Sequence, residues 1–457
     1  MESGQLWRLI DMTPQPASGF VLGGPVSFKL PVYVVREEFE ERVFREILNK
    51  NYVSIIGSRQ VGKTSLLQRI QVLVEERYDQ ASALIDLSTI NEPNVEFRIW
   101  AAEFCDRVIM QLKPFIPDDE PPEPPLSPVG FRRYFQALAE MVTRPHILIL
   151  LDEASAIPSA IGDPFYSIIR WIYTNRTETR PVQPLQKLNF AFAGVFEPER
   201  LVKDRNNSPF NVSHVMRVPD FTKPGLESLV SCIEDERVKQ NPALVTDAIF
   251  EWTAGHPFLS HCFCALVADF LKTNVSSRIN SSVVSQIRPS LANVAENNID
   301  HVAKLAFETD ELAAIIKQLL RGERIAFSRA RPALVRLELG GAISEGPEGL
   351  CVIRNRAYEE AFRQAAATVP SATVDVMPVE KLDQAKLREV LITKFSDEEL
   401  ATLCSDLGIN FEDIKGATHP DKARELIDYM KRRDDLDRLV SAVKQLRPRA
   451  ELNSKGA

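Results

Sequence analysis

Apolar residues in the first half of the chain fall into short runs separated by amphipathic stretches. The runs predict buried strands over 53–56, 83–87, 147–151, 188–193 and 214–218. Between them, apolar residues recur at helical spacing, which predicts helices over 64–75, 97–112, 130–143 and 164–173. Strands that alternate with helices are typical of a parallel sheet with helices on its faces. This part of the chain is therefore predicted to be an α/β domain.

The pattern changes after residue 221, where only helical periodicity continues. Two helical stretches and two short apolar runs around a Gly/Pro turn at 346–349 then suggest a winged helix. A stretch rich in Ala, Thr, Ser, Pro and Val reads as a linker before a small all-helical unit. We expect six segments: an N-terminal segment (1–30), an α/β core (31–221), a helical lid (222–303), a winged helix (304–366), a linker (367–384) and a helical unit (385–449).

Composition narrows the class of protein. The chain has 457 residues, of which 44% are hydrophobic and 26% charged, as in ordinary globular proteins of several domains. Its net charge of −8 gives no general attraction to nucleic acid or to an anionic membrane. No apolar run is long enough to cross a membrane, and the first residues lack a signal-peptide layout, so we expect a cytoplasmic protein.

Six scattered cysteines are expected to be free, buried thiols. The segment from His261 to Cys264 carries two of them, but no second ligand pair lies at zinc spacing. Its apolar neighbours favour a role in the core of a helix.

One octet carries a specific chemical signal. It follows the first predicted strand, opens the first helix and fits the pattern G-x-x-x-x-G-K-[ST]. The residues are Gly57, Ser58, Arg59, Gln60, Val61, Gly62, Lys63 and Thr64, followed by Ser65. The glycines let successive backbone N–H groups face a phosphate at the positive end of a helix. Lys63 can then reach the β- and γ-phosphates, and the Thr64 hydroxyl can ligate Mg²⁺. We call residues 57–64 the phosphate loop.

Two carboxylates end the third predicted strand. At the carboxyl edge of a parallel sheet, beside the phosphate loop, Asp152 would help to hold Mg²⁺. Glu153 would orient and deprotonate an attacking water. An apolar run ending in Asp-Glu is common by itself, and its pairing with the phosphate loop is what indicates nucleotide hydrolysis.

The segment before the phosphate loop is a candidate for the base pocket. Tyr33 and Arg36 lie just ahead of a predicted helix, where an aromatic ring and a helix N-terminus can frame adenine. Tyr33 is equally suited to a role in core packing, and the sequence does not choose between these two readings.

These motifs, in this order, resemble the bacterial AAA-like ATPases, relatives of the STAND class of signal-transduction ATPases. The resemblance spans residues 20 to about 365. It rests on Gly23-Gly24-Pro25, Tyr33-Val34-Val35-Arg36, the phosphate loop, Asp152-Glu153, Ser208-Pro209-Phe210-Asn211 and Gly255-His256-Pro257. It implies a P-loop core with a helical lid and a winged helix that packs on the ATPase. It also implies that ATP and ADP bind with Mg²⁺, and that Pro257 in the lid contacts the adenine base.

The chain departs from the AAA+ remodelling enzymes in its arginines. No lid arginine has their arrangement, and only Arg205 and Arg217 are candidates for an arginine finger. We therefore expect slow turnover.

The tail resembles a second family, the bacterial effector-associated domain of the first type. This resemblance covers residues 385–449. It rests on Leu387-Arg388-Glu389-Val390-Leu391, Phe395-Ser396-Asp397-Glu398-Glu399-Leu400, Leu407-Gly408 and Leu446-Arg447-Pro448. Such domains are death-like helical adaptors found beside NTPases in conflict and immunity systems. The resemblance implies pairing with a similar domain on an effector or adaptor protein. Basic and acidic clusters in this unit fit either a solvated surface or charge-driven association.

Three functions remain open at this stage. The leading hypothesis is an ATP-dependent switch in bacterial defence that controls nucleotide-dependent self-association and recruits an effector. The second is a DNA-acting ATPase, since arginines cluster in the predicted winged helix at Arg324, Arg329, Arg331 and Arg336. The acidic net charge makes nucleic acid the less favoured partner. The third is an AAA+ protein-remodelling ATPase.

Overall fold

The computed structural model describes residues 19–447, apart from 93–94, 118–119, 178–182, 199–200, 275–280, 369–383, 408, 410, 412–413, 415, 417, 433–438, 441 and 444–445. The chain divides into two compact units, Met1–Thr368 and Val369–Ala457. Most of the N-terminal segment and of the predicted linker lies outside the described residues.

A five-stranded parallel sheet forms the first part of unit 1. Its strands are β1 (Val53–Ile56), β2 (Gln80–Asp86), β3 (His146–Asp152), β4 (Leu188–Gly194) and β5 (His214–Arg217). Their spatial order is β2-β3-β4-β1-β5, and every neighbouring pair is parallel. Five helices connect or precede the strands: α1 (Glu37–Leu48), α2 (Lys63–Tyr78), α3 (Phe97–Leu112), α4 (Phe131–Met141) and α5 (Ser159–Thr177). The predicted α/β core is confirmed.

Strand β3 shows how the sheet is buried on both faces. Ile147, Ile149 and Leu151 belong to a large aromatic-rich cluster with α3, α4 and α5. Leu148 and Leu150 point the other way, into the cluster formed with α1 and α2. Side chains alternate along a strand, so a continuous apolar run is what two buried faces require.

The second part of unit 1 is helical apart from one hairpin. Its helices are α6 (Lys223–Val230), α7 (Glu236–Gln240), α8 (Pro242–Thr253), α9 (Pro257–Thr273), α10 (Ser281–Val294), α11 (Glu296–Ala306), α12 (Asp310–Leu320), α13 (Pro332–Leu339) and α14 (Arg356–Thr368). Strands β6 (Ile343–Glu345) and β7 (Cys351–Ile353) pair antiparallel, so the hairpin expected there is present.

One hydrophobic cluster joins the segments predicted as lid and winged helix. It also takes in Phe20, Val32, Val34 and Phe221 from outside both segments. The chain before α1 therefore packs with the helical part of unit 1, beside the end of the sheet domain.

Unit 2 is a small helical domain. Its described part includes α15 (Gln384–Lys394), α16 (Asp397–Asp406) and α17 (His419–Arg432), which contribute to one apolar cluster that includes Leu391, Leu403 and Leu426. The spacing Ser396-x-x-Glu399 predicts a capping box at the start of α16, and it is formed: the Ser396 Oγ accepts from the Glu399 N–H at 3.2 Å, and a Glu399 carboxylate oxygen accepts from the Ser396 N–H at 3.0 Å.

The cysteines are free, as predicted. Cys262 and Cys264 are buried in α9, whereas Cys232 is partly exposed, contrary to the expectation that all six are buried. Among the residues described, no three metal-binding side chains cluster to form a metal site, and no helix is long and apolar enough to cross a membrane.

Candidate nucleotide site

The phosphate loop joins β1 to α2, as its sequence predicted. Two of its residues adopt left-handed backbone conformations, Gln60 with φ 60° and Gly62 with φ 91°. A Cβ at Gly57 would lie 2.8 Å from a Val61 methyl group, so the loop closes tightly on itself. Left-handed residues within a tight loop turn successive N–H groups toward one point, which forms an anion-binding nest at the start of α2.

Lys63 extends back across the phosphate loop. Its Nζ donates to the carbonyl oxygens of Gly57 at 3.1 Å and Ser58 at 2.9 Å. Burial lowers the pKa of Lys63, while the Glu153 and Asp152 carboxylates act in the opposite direction. The ammonium group is therefore held at the loop, next to the carboxylates that end β3.

Asp152 and Thr64 meet at the carboxyl edge of the sheet. The Thr64 hydroxyl donates to the Asp152 Oδ2 at 2.6 Å, and the other carboxylate oxygen accepts from the Glu153 N–H at 2.9 Å. Burial raises the pKa of Asp152, and the hydrogen bond from Thr64 opposes this shift. One hydroxyl and one carboxylate are a donor set that suits Mg²⁺, which takes its remaining ligands from phosphate and water.

Glu153 follows β3 in a left-handed conformation with φ 47°. Burial raises the pKa of Glu153, Lys63 lowers it, and Asp152 raises it further. A carboxylate in this setting is a stronger base than an exposed glutamate, which suits the acceptance of a proton.

Arg36 packs directly on the phosphate loop. Its guanidinium donates to the Val61 carbonyl at 2.8 Å and to the Pro219 carbonyl at 3.3 Å, and it lies 5.8 Å from the centre of the Phe221 ring. A Cβ added to Gly62 would come within 3.2 Å of Arg36. Arg36 therefore fixes the outer side of the loop.

Tyr33 is turned toward α1 and α2. Its hydroxyl donates to a Glu40 carboxylate oxygen at 3.2 Å, and the Arg69 guanidinium lies 5.5 Å from the ring centre. Burial, followed by the charge of Glu40, raises the pKa of Tyr33. These contacts give Tyr33 partners within the sheet domain, and a role in binding adenine stays a prediction.

The Gly255-His256-Pro257 turn docks at the edge of the sheet domain. The Phe221 N–H donates to the Gly255 carbonyl at 2.8 Å, which places the turn beside the ring that Arg36 covers. Pro257 is buried at the first position of α9. The turn, Arg36 and the phosphate loop therefore share one neighbourhood, as the predicted contact of Pro257 with the base requires.

Arg354, whose side chain is only 10% exposed, lies at this site and was not predicted from the sequence. Arg354 follows β7, and its Nη1 donates to the Ser58 hydroxyl. The same guanidinium forms a bidentate pair with Asp220, at 2.9 Å from Nε and 2.6 Å from Nη2. A Cβ at Gly341 would lie only 3.0 Å from the Ser58 Cβ. The hairpin region therefore contacts the phosphate loop directly.

Asn298 of α11 was missed as well. Its side-chain amide donates to the Gln60 side chain at 2.6 Å. An arginine after a strand and an asparagine in a helix are common, and only their long-range partners single them out.

The other predicted residues lie in mixed positions. Arg59 is exposed. The Ser65 hydroxyl accepts from the Val26 N–H at 2.8 Å and so anchors the chain before α1. Arg217 faces Glu338 of α13 at 3.7 Å, and the side chain of Arg205 lies outside the described residues.

Comparisons with known proteins agree with the architecture. Residues 21–345 match the family model of the AAA-like domain, which is well over half of the chain. Residues 387–448 match that of effector-associated domain 7. The predicted domain class is confirmed, and its type is corrected from the first to the seventh. An apolar pattern in a small helical domain identifies the class better than the type.

One curated relative is an uncharacterized WD repeat-containing protein of Synechocystis. It is 25% identical over 279 residues, which are 58% of this chain and 22% of the relative. The chain thus aligns with about a fifth of that relative's length.

Solved structures that align with the chain include three ATPase-related proteins. A Walker-type ATPase of Pyrococcus abyssi shares 17% identity, over 75% of this chain and 99% of that one, with a TM-score of 0.49. The ORC2 protein of Aeropyrum pernix shares 13% identity, over 75% of this chain and 96% of that one, with a TM-score of 0.43. The RuvB branch migration motor of Thermotoga maritima shares 13% identity, over 72% of this chain and 94% of that one, with a TM-score of 0.37.

The parallel sheet, the phosphate loop and the two matched segments lead to one conclusion. The chain belongs to the AAA-like domain family, with a P-loop ATPase-like domain in unit 1 and an effector-associated domain over residues 387–448.

Proposed function

We propose that this protein is an ATP-operated signalling switch of the STAND type, which hydrolyses ATP slowly and recruits an effector through unit 2. The observation that supports it best is the contact of Arg354 with Ser58. A residue far along the chain, just after β7, is thereby in direct contact with the phosphate loop.

The catalytic part of the proposal assigns a role to each side chain at the loop. The nest and Lys63 bind the phosphates, and Thr64 and Asp152 hold Mg²⁺. The ion, when bound, neutralises charge on the phosphate oxygens. Glu153 accepts a proton from the attacking water.

Arg354 supplies the coupling between nucleotide and conformation. Its charge is matched by Asp220 and its Nη1 is engaged by Ser58. A triphosphate in the neighbouring nest competes with Asp220 for this guanidinium, because phosphate and carboxylate are both bidentate partners of arginine. A shift of Arg354 moves the segment between the hairpin and α14. We propose that this movement controls whether unit 2 self-associates and pairs with a similar domain on an effector or adaptor protein, in bacterial defence.

The DNA-acting alternative is weakened by the surroundings of its four arginines. Arg324 pairs with Glu348 at 2.5 Å, and Arg336 with Glu308 at 2.6 Å. Arg329 lies 3.0 Å from Glu338 and 3.2 Å from Glu345, and Arg331 lies 3.9 Å from Glu311. Glutamates that neutralise these arginines leave little excess charge for DNA phosphates. A flat salt dependence in a duplex titration would agree with this.

The test combines calorimetry with an ATPase assay on the full chain. With MgATP and MgADP, we expect Lys63→Ala to bind at least about a hundredfold more weakly than wild type, because the buried ammonium is lost. Glu153→Gln should bind normally and lose turnover, because the amide cannot accept the proton.

Lys223→Ala is the matched control, since Lys223 is exposed and pairs with the exposed Asp247. Equal binding by wild type and Lys63→Ala would contradict the assignment, as would full turnover by Glu153→Gln. Sizing in MgATP and in MgADP then tests the switch, which requires different assembly states. A ring that forms only with ATP and depends on an arginine would favour the remodelling alternative.

A further inference from the structure

At Gln60 the phosphate loop accepts a long-range hydrogen bond from α11. Gln60 has a left-handed backbone, φ 60°, which costs a residue with a side chain more than it costs glycine. Its side-chain oxygen accepts from the Asn298 amide at 2.6 Å, across 238 positions of sequence. The part of the loop that is least stable by itself is thus the part that α11 holds.

The contact continues into a buried chain of hydrogen bonds. The Tyr358 hydroxyl of α14 donates to the Asn298 Oδ1 at 2.7 Å and lies 3.3 Å from the His256 Nε2. The His256 Nδ1 accepts from the Leu259 N–H at 3.5 Å, which assigns the ring proton to Nε2. His256, Tyr358 and Asn298 are at most 4% exposed. The donors and acceptors therefore match along the whole chain of contacts.

This chain of contacts joins the phosphate loop to the turn that, by the family resemblance, contacts the base of the nucleotide. One end is Gln60, within the phosphate nest. The other is His256, in the turn whose proline is predicted to contact the base. Buried polar groups that are all paired are stiff, because breaking one bond leaves a buried group without a partner.

We propose that Asn298 and Tyr358 are positioning residues for nucleotide binding, which hold Gln60 in the left-handed conformation that the phosphate nest requires. This inference rests on the proposed nucleotide site. When the hydrogen bond from Asn298 is lost, Gln60 relaxes to a right-handed or extended conformation. The nucleotide must then restore the nest as it binds. The affinity then falls by the cost of the left-handed conformation.

The decisive experiment asks whether a glycine at position 60 removes the need for Asn298. Calorimetry with MgADP and MgATP is carried out on full-length wild type, Asn298→Ala, Gln60→Gly and the double variant. Asn298→Ala should bind about tenfold more weakly, the size of a left-handed penalty. Both Gln60→Gly and the double variant should bind more tightly than Asn298→Ala, and the two should match each other, because glycine adopts a positive φ without the steric penalty of a side chain.

A purely structural role for Asn298 predicts another pattern, in which the loss persists in the double variant. That result would overturn the inference, as would an Asn298→Ala protein that binds like wild type. If wild type binds neither nucleotide, the proposed function itself fails.

Tyr358→Phe provides a second, independent variant in case Asn298→Ala does not fold. It removes only the hydroxyl and should also weaken binding in a way that Gln60→Gly rescues. The matched control is Tyr134→Phe, which loses a buried hydroxyl bonded to the Cys105 carbonyl at 3.4 Å in the sheet domain. An equal loss of nucleotide affinity in Tyr134→Phe would point to general destabilisation and contradict the inference.

Discussion

Gly255 is the position where adding a single methyl group has the clearest consequence. A Cβ there would lie 2.0 Å from the Phe221 carbonyl oxygen and 3.0 Å from its carbon. The obstacle is backbone, which is itself tied to Gly255 by a hydrogen bond of 2.8 Å from the Phe221 N–H. Neither partner can move without displacing the turn that begins α9. Gly255→Ala should therefore destabilise unit 1 strongly.

The loss of stability expected for Gly255→Ala has two separate contributions. Gly255 has φ 78°, and a left-handed alanine costs about 1–2 kcal/mol. Overpacking against a fixed neighbour typically adds about 1–3 kcal/mol. Gly322 separates the two parts, because it has φ 80° and no atom within 4 Å of its would-be Cβ. We expect a loss of about 2–5 kcal/mol for Gly255→Ala and of about 1–2 kcal/mol for Gly322→Ala.

The assay is urea unfolding of the full chain, followed by tryptophan fluorescence. Trp252, buried three positions before the turn, contributes the signal of the helical part of unit 1, beside that of Trp100 in the sheet domain. Nucleotide affinity should fall in Gly255→Ala and stay unchanged in Gly322→Ala, because only the first displaces the turn. If both variants lose the same stability, the contact with Phe221 carries no cost and the reasoning is refuted.

Three further predictions concern other parts of the molecule. Arg176→Met should lower the free energy of unfolding by about 1–3 kcal/mol in urea, because the buried Leu188 carbonyl and the partly exposed Lys50 carbonyl each lose a hydrogen bond from the guanidinium. Ser396→Ala should cost unit 2 about 1 kcal/mol, measured as faster hydrogen exchange in α16, since the capping box is broken. Burial lowers the pKa of His261 to about 4, so the unfolded chain takes up this proton first and stability falls as the pH drops from about 6.5 to 4. His261→Leu should flatten this dependence of the urea midpoint, and an unchanged slope would contradict it.

Local spacing was enough to predict the strands and helices around the nucleotide site. The continuous apolar run before Asp152 required a strand buried on both faces, and β3 has that environment. The capping box at Ser396 was readable because its partners lie three residues apart.

Other features needed the folded chain. Only the structure shows that the Ser65 hydroxyl, just after the phosphate loop, accepts from the Val26 N–H, and its role in nucleotide binding stays a prediction. The arginines of the predicted winged helix gave a basic pattern in sequence, but their glutamate partners come from different elements. The sequence gives the number and spacing of the charged residues. Only the folded structure shows which of these residues form ion pairs.

The sequence by itself determined the parallel sheet, the phosphate loop and the carboxylates that face it. Each of these depends on residues close together along the chain, where backbone geometry fixes what neighbours can do. Only the tertiary structure decided that Arg354 contacts Ser58 and that Asn298 holds Gln60. Those contacts join residues more than two hundred positions apart, and their residue types are common everywhere on protein surfaces. The roles of these residues depend on their burial and on their hydrogen-bond partners, and both exist only once the chain has folded.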